Sequence, residues 1–250
     1  MATDPQAPIL SVRDLVGGYG RMTILNGCSF DVARAAITTV IGPNGAGKST
    51  AFKAIFGLLR LRGGRVLLEG DDITHLAQAR LIARGLCYVP QGRNIFPELS
   101  VRENIELGGV VLGAAAAMRA RVEEALDRFP VLRRKAGAQA STLSGGQQKL
   151  LEISRGLLGR PRLMLIDEPS IGLSPLMVQE VFATLQRLRD DGMAVLMVEQ
   201  NARSALQVSD HAIVLEGGRT RLVGAARDVL ADPRVARLFL GAEVELDDPS

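Results

Sequence analysis

Short apolar runs alternate with amphipathic stretches along this chain, in the order expected of strands interleaved with helices. Residues 9–32 read as extended segments, broken by turn signals at Gly17-Gly18-Tyr19-Gly20 and at Asn26-Gly27. The run Ile37-Thr38-Thr39-Val40-Ile41 predicts a buried strand, with a helix over 50–59 after it. Gly63-Gly64 leads into a strand at 65–69, followed by a helix at 75–84 and a strand at 85–89. Further on, apolar strands at 163–166, 194–198 and 211–215 alternate with helices at 175–189 and 202–208, and Gly217-Gly218 marks a hairpin. This alternation predicts an α/β core.

Between 98 and 140 the strand signal stops. Ser100 and Glu103 match a helix-opening capping box, and helices are predicted over 101–110 and 114–129, separated by Gly113. We read a helical subdomain, approximately 92–142, inserted into the α/β core. Ser144, with Gln147 three residues on, then caps a helix running to about residue 159.

Composition adds bounds. With 250 residues and 47% hydrophobic content the chain can bury a large core, and the absence of any long linker favours a single domain over 1–250. There is no Trp and only two Tyr, so the core must be mostly aliphatic. No run of about 18 uncharged apolar residues suggests a membrane helix. The opening MATDPQAP lacks a signal pattern, so the chain is expected in the cytoplasm. Cys28 and Cys87 stand alone in apolar stretches and read as reduced core thiols. A net charge of +3 is too small to argue for nucleic acid, and the acidic tail from Glu243 is expected to fray.

The densest candidate chemistry is GPNGAGKST, residues 42–50, between a predicted strand and a predicted helix. That context is what a phosphate-binding loop of the form G-x-x-x-x-G-K-[ST] requires. Glycines let the backbone N–H groups curl around an anion, and the helix start adds partial positive charge. Lys48 is expected to reach the β- and γ-phosphates and Ser49 to coordinate Mg2+. Asp167-Glu168 end a buried strand, where two carboxylates are costly unless a cation or water network uses them. Gln91 opens a polar break after the strand at 85–89, where ligand contacts collect in doubly wound sheets. Ser144-Gly145-Gly146-Gln147 offer a second helix start with bare N–H groups. Tyr19 reads either as a base-stacking ring or as packing.

Together these pieces resemble the ATP-binding subunits of ABC transporters, over about residues 9–241. GPNGAGKST, the Gln91 loop, LSGGQ, LMLIDE and the loop after Asp167-Glu168 occur in that family's order. The resemblance implies an α/β P-loop ATPase core with an N-terminal antiparallel β-subdomain and an inserted helical subdomain. It implies that Tyr19 stacks on adenine, while Gly42, Pro43, Asn44, Gly45, Ala46, Gly47, Lys48, Ser49 and Thr50 hold the phosphates of ATP. Ser49, Gln91 and Asp167 would face Mg2+, and Glu168 would polarise the attacking water. Gln91 and Gln200 would assist catalysis. Ser144, Gly145, Gly146 and Gln147 would cap the γ-phosphate of ATP bound to a second ATP-binding subunit, in a head-to-tail dimer that is homo- or heteromeric. The implied partners are transmembrane permease subunits and, indirectly, a solute-binding protein, with no nucleic acid. The implied location is the cytoplasmic face of the inner membrane. Residues 89–107 would grip a permease helix, with Phe96 as an apolar anchor or else as core.

The strings VPQGRNIFPELSVRENIELGG, DEPSIGLSP and VEQNA resemble the branch that imports branched-chain amino acids, with urea and amide importers close, as does Leu238-Phe239-Leu240-Gly241. Three departures stand out. Gln200 occupies a position that is usually His, Ser174-Pro175 replaces a common Asp-containing end of the loop, and Ala35-Ala36 replace a usual Gly-Glu turn. The competing reading is a non-transport ABC-type ATPase of DNA repair or the ribosome. Such relatives usually carry long coiled-coil insertions or two ATPase halves, neither of which is present in this sequence.

Overall fold

All five residues of each of the runs Ile37–Ile41, Leu163–Asp167 and Ala194–Val198 are buried, which is why they form the centre of a parallel sheet. The computed structural model describes residues 7–110 and 115–235, so Leu238–Gly241 and the acidic tail lie outside the described residues. In chain order the elements are β1 (Leu10–Gly17), β2 (Leu25–Val32), β3 (Ile37–Ile41), α1 (Lys48–Ile55), β4 (Leu61–Leu68), β5 (Asp71–Asp72), α2 (Gln78–Ala83) and β6 (Leu86–Val89). Helices α3 (Val101–Leu107), α4 (Ala115–Arg128), α5 (Pro130–Arg133) and α6 (Gly145–Leu157) follow. The chain then alternates β7 (Leu163–Asp167), α7 (Pro175–Asp190), β8 (Ala194–Val198), α8 (Ala202–Val208), β9 (His211–Glu216), β10 (Arg219–Ala225) and α9 (Ala226–Ala231).

Two sheets result. One is antiparallel, in the order β2-β1-β4-β5; the other runs β10-β9-β3-β8-β7-β6, parallel from β9 to β6. Because β3, β6, β7 and β8 are parallel, their C-terminal ends share one edge, and the loops carrying residues 42–50, 91, 167–168 and 199–200 open there. Helix α1 is packed between the sheets: Phe52 and Ile55 belong to one core with Leu10 and Leu15 of β1 and Leu165 and Leu196 of the parallel sheet. Each such fully buried side chain stabilises the fold by about 1.5–3 kcal/mol. Helices α3, α4 and α5 lie between β6 and β7 in sequence and pack on α6. The Ser100 box forms with both bonds, Glu103 N to Ser100 Oγ at 3.1 Å and Ser100 N to Glu103 Oε2 at 2.7 Å. Among the described residues no helix is long and apolar enough to cross a membrane.

Several local expectations need correction. Asn26-Gly27 is not a turn between strands but a bulge inside β2: Leu15 pairs with Cys28 and Val16 with Asn26, leaving Gly27 unpaired at φ 91°. Its register is held from outside the hairpin, since Asn26 N donates to Gly218 O at 2.9 Å and Asn26 Nδ2 to Gly217 O at 2.9 Å. Gly63-Gly64 lie within β4 rather than before it. Helix α1 begins at Lys48 and ends four residues early, α2 starts at Gln78, α3 stops at Leu107, and α5, with Pro130 in its first turn, was not expected.

Candidate nucleotide site

The connection from β3 to α1 is only residues 42–47, so the helix start sits directly over the sheet edge. Gly47 is the N-cap of α1 at φ 98°, a left-handed conformation that a side chain would strain. Lys48 is buried, and its Nζ donates to the carbonyls of Gly42 at 2.7 Å and Pro43 at 3.1 Å. Burial lowers the lysine pKa, while the charges of Glu168 and Asp167 oppose that. A desolvated ammonium at a helix start gains more from an anion than an exposed one does.

Across from it, Ser49 Oγ donates to Asp167 Oδ1 at 3.1 Å, and the Tyr88 hydroxyl donates to Asp167 Oδ2 at 3.4 Å. Asp167 is almost wholly buried, and burial raises its pKa, the Ser49 bond working against the shift and the charge of Glu168 adding to it. Burial also holds the Tyr88 hydroxyl protonated well above its ordinary range, with Asp167 adding to the effect. Glu168 sits at φ 46°, and Gln91 Nε2 donates to its Oε2 at 2.7 Å. A left-handed non-glycine residue costs on the order of 1–3 kcal/mol and persists where its surroundings hold it. Here Glu168 N donates to Val198 O at 2.9 Å.

Gln200 Nε2 donates to Asn44 Oδ1 at 3.4 Å, so the end of β8 touches the glycine loop. One residue earlier is a group the sequence reading missed. The carboxylate of Glu199, 1% exposed, accepts from Ser170 N at 2.8 Å, from Ser170 Oγ at 2.8 Å and from Gln200 N at 3.2 Å. Burial raises its pKa, and the Ser170 bonds oppose the shift. The cost of a carboxylate at the end of a buried strand, applied to Asp167-Glu168, would have found Glu199 as well.

Tyr19 is 48% exposed, and Lys53 Nζ of α1 lies 5.9 Å from its ring centroid. Ser144 caps α6, Gln147 N donating to its Oγ at 3.4 Å, and Lys135 Nζ donates to Gln147 Oε1 at 3.1 Å. Gly146 lies so close to Met177 that a Cβ would collide with it. Residues 42–50, Gln91, Asp167, Glu168 and Gln200 thus meet at one edge. Among the described residues, no hydrogen bond ties Ser144, Gly145, Gly146 or Gln147 to that edge within the chain.

No cluster of three or more His, Cys, Asp or Glu gathers for a metal among the described residues. The Ser49 hydroxyl and Asp167 carboxylate are hard oxygen donors, a sparse set that fits Mg2+, whose remaining ligands come from water and phosphate.

A glycine loop with a buried lysine, opposed by Ser–Asp and Gln–Glu pairs at the edge of a parallel sheet, defines a P-loop nucleotide-binding ATPase. More narrowly, the chain belongs to the ABC transporter family, whose model matches residues 25–171. It is 36% identical over 223 residues to the high-affinity branched-chain amino acid transport ATP-binding protein BraG of Pseudomonas aeruginosa, covering 89% of this chain and 95% of BraG. It is 37% identical over 228 residues to the probable branched-chain amino acid transport ATP-binding protein LivF of Archaeoglobus fulgidus, covering 91% and 96%. Its fold matches the crystal structure of the ADP conformation of MJ1267, an ATP-binding cassette of an ABC transporter. The TM-score is 0.83 at 30% identity, over 94% of this chain and 99% of that one.

Proposed function

We propose that this ATPase powers import of branched-chain amino acids, or a similar small polar solute, through a membrane ABC transporter. The choice of solute is supported by similarity to BraG and LivF along nearly their full lengths. The observation that carries hydrolysis is the bond from Gln91 to Glu168 beside the glycine loop.

The residues act in three groups. Lys48, now donating to loop carbonyls, exchanges those acceptors for the β- and γ-phosphates of ATP, while the N–H groups of residues 42–50 surround them. Ser49 and Asp167 would hold Mg2+, with Gln91 on the same side; when bound, the ion would neutralise charge on the phosphates. Glu168 orients and polarises water, positioned by Gln91, while Gln200 donates to the γ-phosphate without carrying a proton. Tyr19, half exposed, stacks on adenine.

Ser144, Gly145, Gly146 and Gln147 stand apart from these groups and serve the ATP of a second subunit, in a head-to-tail dimer. The whole chain acts as one domain, with the helices of 92–142 as its inserted subdomain. A groove of about 760 Å³, walled by Val89, Pro90, Ile95, Phe96 and Leu107, receives the permease at the cytoplasmic face of the membrane. Phe96 is 51% exposed there, which supports an anchoring role over a place in the core. A secreted solute-binding protein delivers the cargo to the permeases. The test is reconstitution with the permeases in vesicles: ATP-dependent leucine uptake supports the reading, and uptake that ignores ATP or excludes all branched-chain amino acids and amides contradicts it.

A further inference from the structure

The parallel pairing of β7 with β8 ends at Asp167 opposite Val198. A further backbone bond follows, Glu168 N to Val198 O at 2.9 Å, and past it a side chain holds the two loops together. That side chain is Glu199, only 1% exposed. Its Oε1 accepts from Ser170 N at 2.8 Å, and its Oε2 from Ser170 Oγ at 2.8 Å and Gln200 N at 3.2 Å. Its own backbone N donates to Val40 O at 3.4 Å, so the same residue also touches the strand that leads into the glycine loop.

A cation is missing from this arrangement. Among the described residues Glu199 forms no salt bridge, and the neighbouring charge that acts on it, Glu168, has the same sign. A buried carboxylate is costly unless hydrogen-bond donors replace its water, and all three donors here come from the two loops that it joins. Each loop carries a residue of the nucleotide edge. Ser170 lies two positions after Glu168, which is held at φ 46°, and Gln200 reaches Asn44 Oδ1 at 3.4 Å.

We infer that Glu199 is a positioning residue for ATP hydrolysis. Its carboxylate clamps the loop after Glu168 to the backbone of Gln200, setting the spacing between the group that orients water and the amide that meets the γ-phosphate. An apolar side chain at this point would fill the space as well, but it would leave Ser170 N and Gln200 N without the acceptor that fixes them. The inference rests on the roles proposed above for Glu168 and Gln200 and adds what holds them relative to each other.

The test measures ATP turnover and ATP binding of the full chain with its partner ATP-binding subunit. Glu199→Gln keeps the size but turns one acceptor into a donor facing Ser170 or Gln200. Its kcat should fall roughly 10- to 100-fold, the cost of a small misplacement. ATP affinity should stay at the wild-type value, because residues 42–50 hold the phosphates. Glu199→Asp, which keeps the charge, should recover part of the loss. The decisive arm is the double variant: once Gln200→Ala has removed the amide, adding Glu199→Gln should slow turnover no further. If Glu199→Gln fails to fold, Ser170→Ala, which removes one of the three donors, takes its place beside Gln200→Ala. Wild-type kcat in the folded variant overturns the inference. So does a loss that multiplies fully with that of Gln200→Ala, or one matched by an equal fall in ATP affinity, as loosened packing would give. Wild-type turnover of Gln200→Ala instead removes the reading on which the inference rests.

Discussion

Gln91 donates from Nε2 to Glu168 Oε2 across 2.7 Å, joining the loop after β6 to the end of β7. Three residues beyond Gln91, Asn94 N is bonded to Glu152 of α6, the helix that Ser144 caps. The carboxylate proposed for water activation is therefore held by the same loop that walls the groove after β6. Glu168 is also held in a left-handed conformation, so small shifts of its neighbours act on a strained residue.

Lys48→Ala removes the ammonium buried beside Asp167 and Glu168. ATP affinity should fall roughly 10- to 100-fold, the range lost with a charge-assisted hydrogen bond. Titration calorimetry checks this, and unchanged affinity in a folded variant refutes the phosphate role of Lys48.

Gln200 touches Asn44 and cannot titrate near neutral pH, whereas His, with an ordinary pKa of about 6.5, can. Hydrolysis should show no acid limb near that pH from this position, and Gln200→His should stay active while gaining one. Gln200→Ala should lose about 10²-fold in turnover, as one removed transition-state donor does. Wild-type turnover of Gln200→Ala would show that the amide has no part in catalysis.

Cys28 and Cys87 are buried, and burial pushes their thiols up to about 11 and about 12. Native protein at pH 8 should hence resist alkylation, since only about one Cys28 thiol in a thousand is ionised there. Unfolded thiols ionise from about pH 8.5, before the folded ones, so stability should fall as pH rises from there towards 11 and 12. Fast modification of the native chain at pH 8, or a denaturant midpoint flat between pH 8 and 11, would contradict this.

Ala35 sits at φ 45° in the turn before β3, a left-handed conformation that strains a residue with a Cβ. Relief of left-handed strain outweighs the extra unfolded-state freedom of glycine, so Ala35→Gly should stabilise the chain by about 0.5–1 kcal/mol. A lowered melting temperature in that variant would refute the strain.

What could be read from the sequence follows the range of the interactions. The glycine loop is local, since its spacing alone brings Lys48 and Ser49 to the end of β3. The apolar runs of β3, β7 and β8 mark themselves because parallel strands are buried on both faces. Gly27 was misread because Asn-Gly signals a positive φ without saying whether a turn or a bulge uses it. Glu199 was legible as a carboxylate ending a buried strand, but its partner was not. Its partner Ser170 lies 29 residues away, and only the adjacency of β7 and β8 brings them together. The Lys149–Glu152 pair is local, but its hold on Gly92 and Asn94 is not.

The central claim is that Glu168 activates water for ATP hydrolysis on the edge built by Lys48, Ser49, Gln91 and Asp167. Glu168→Gln keeps the shape and removes the carboxylate, so the most direct measurement is its ATP turnover alongside its ATP binding and gel-filtration size. The account predicts intact binding, an ATP-dependent dimer, and turnover slower by roughly 10²–10⁴-fold, the contribution of a general base. Turnover of Glu168→Gln equal to the wild type, with the same ATP affinity, would contradict it.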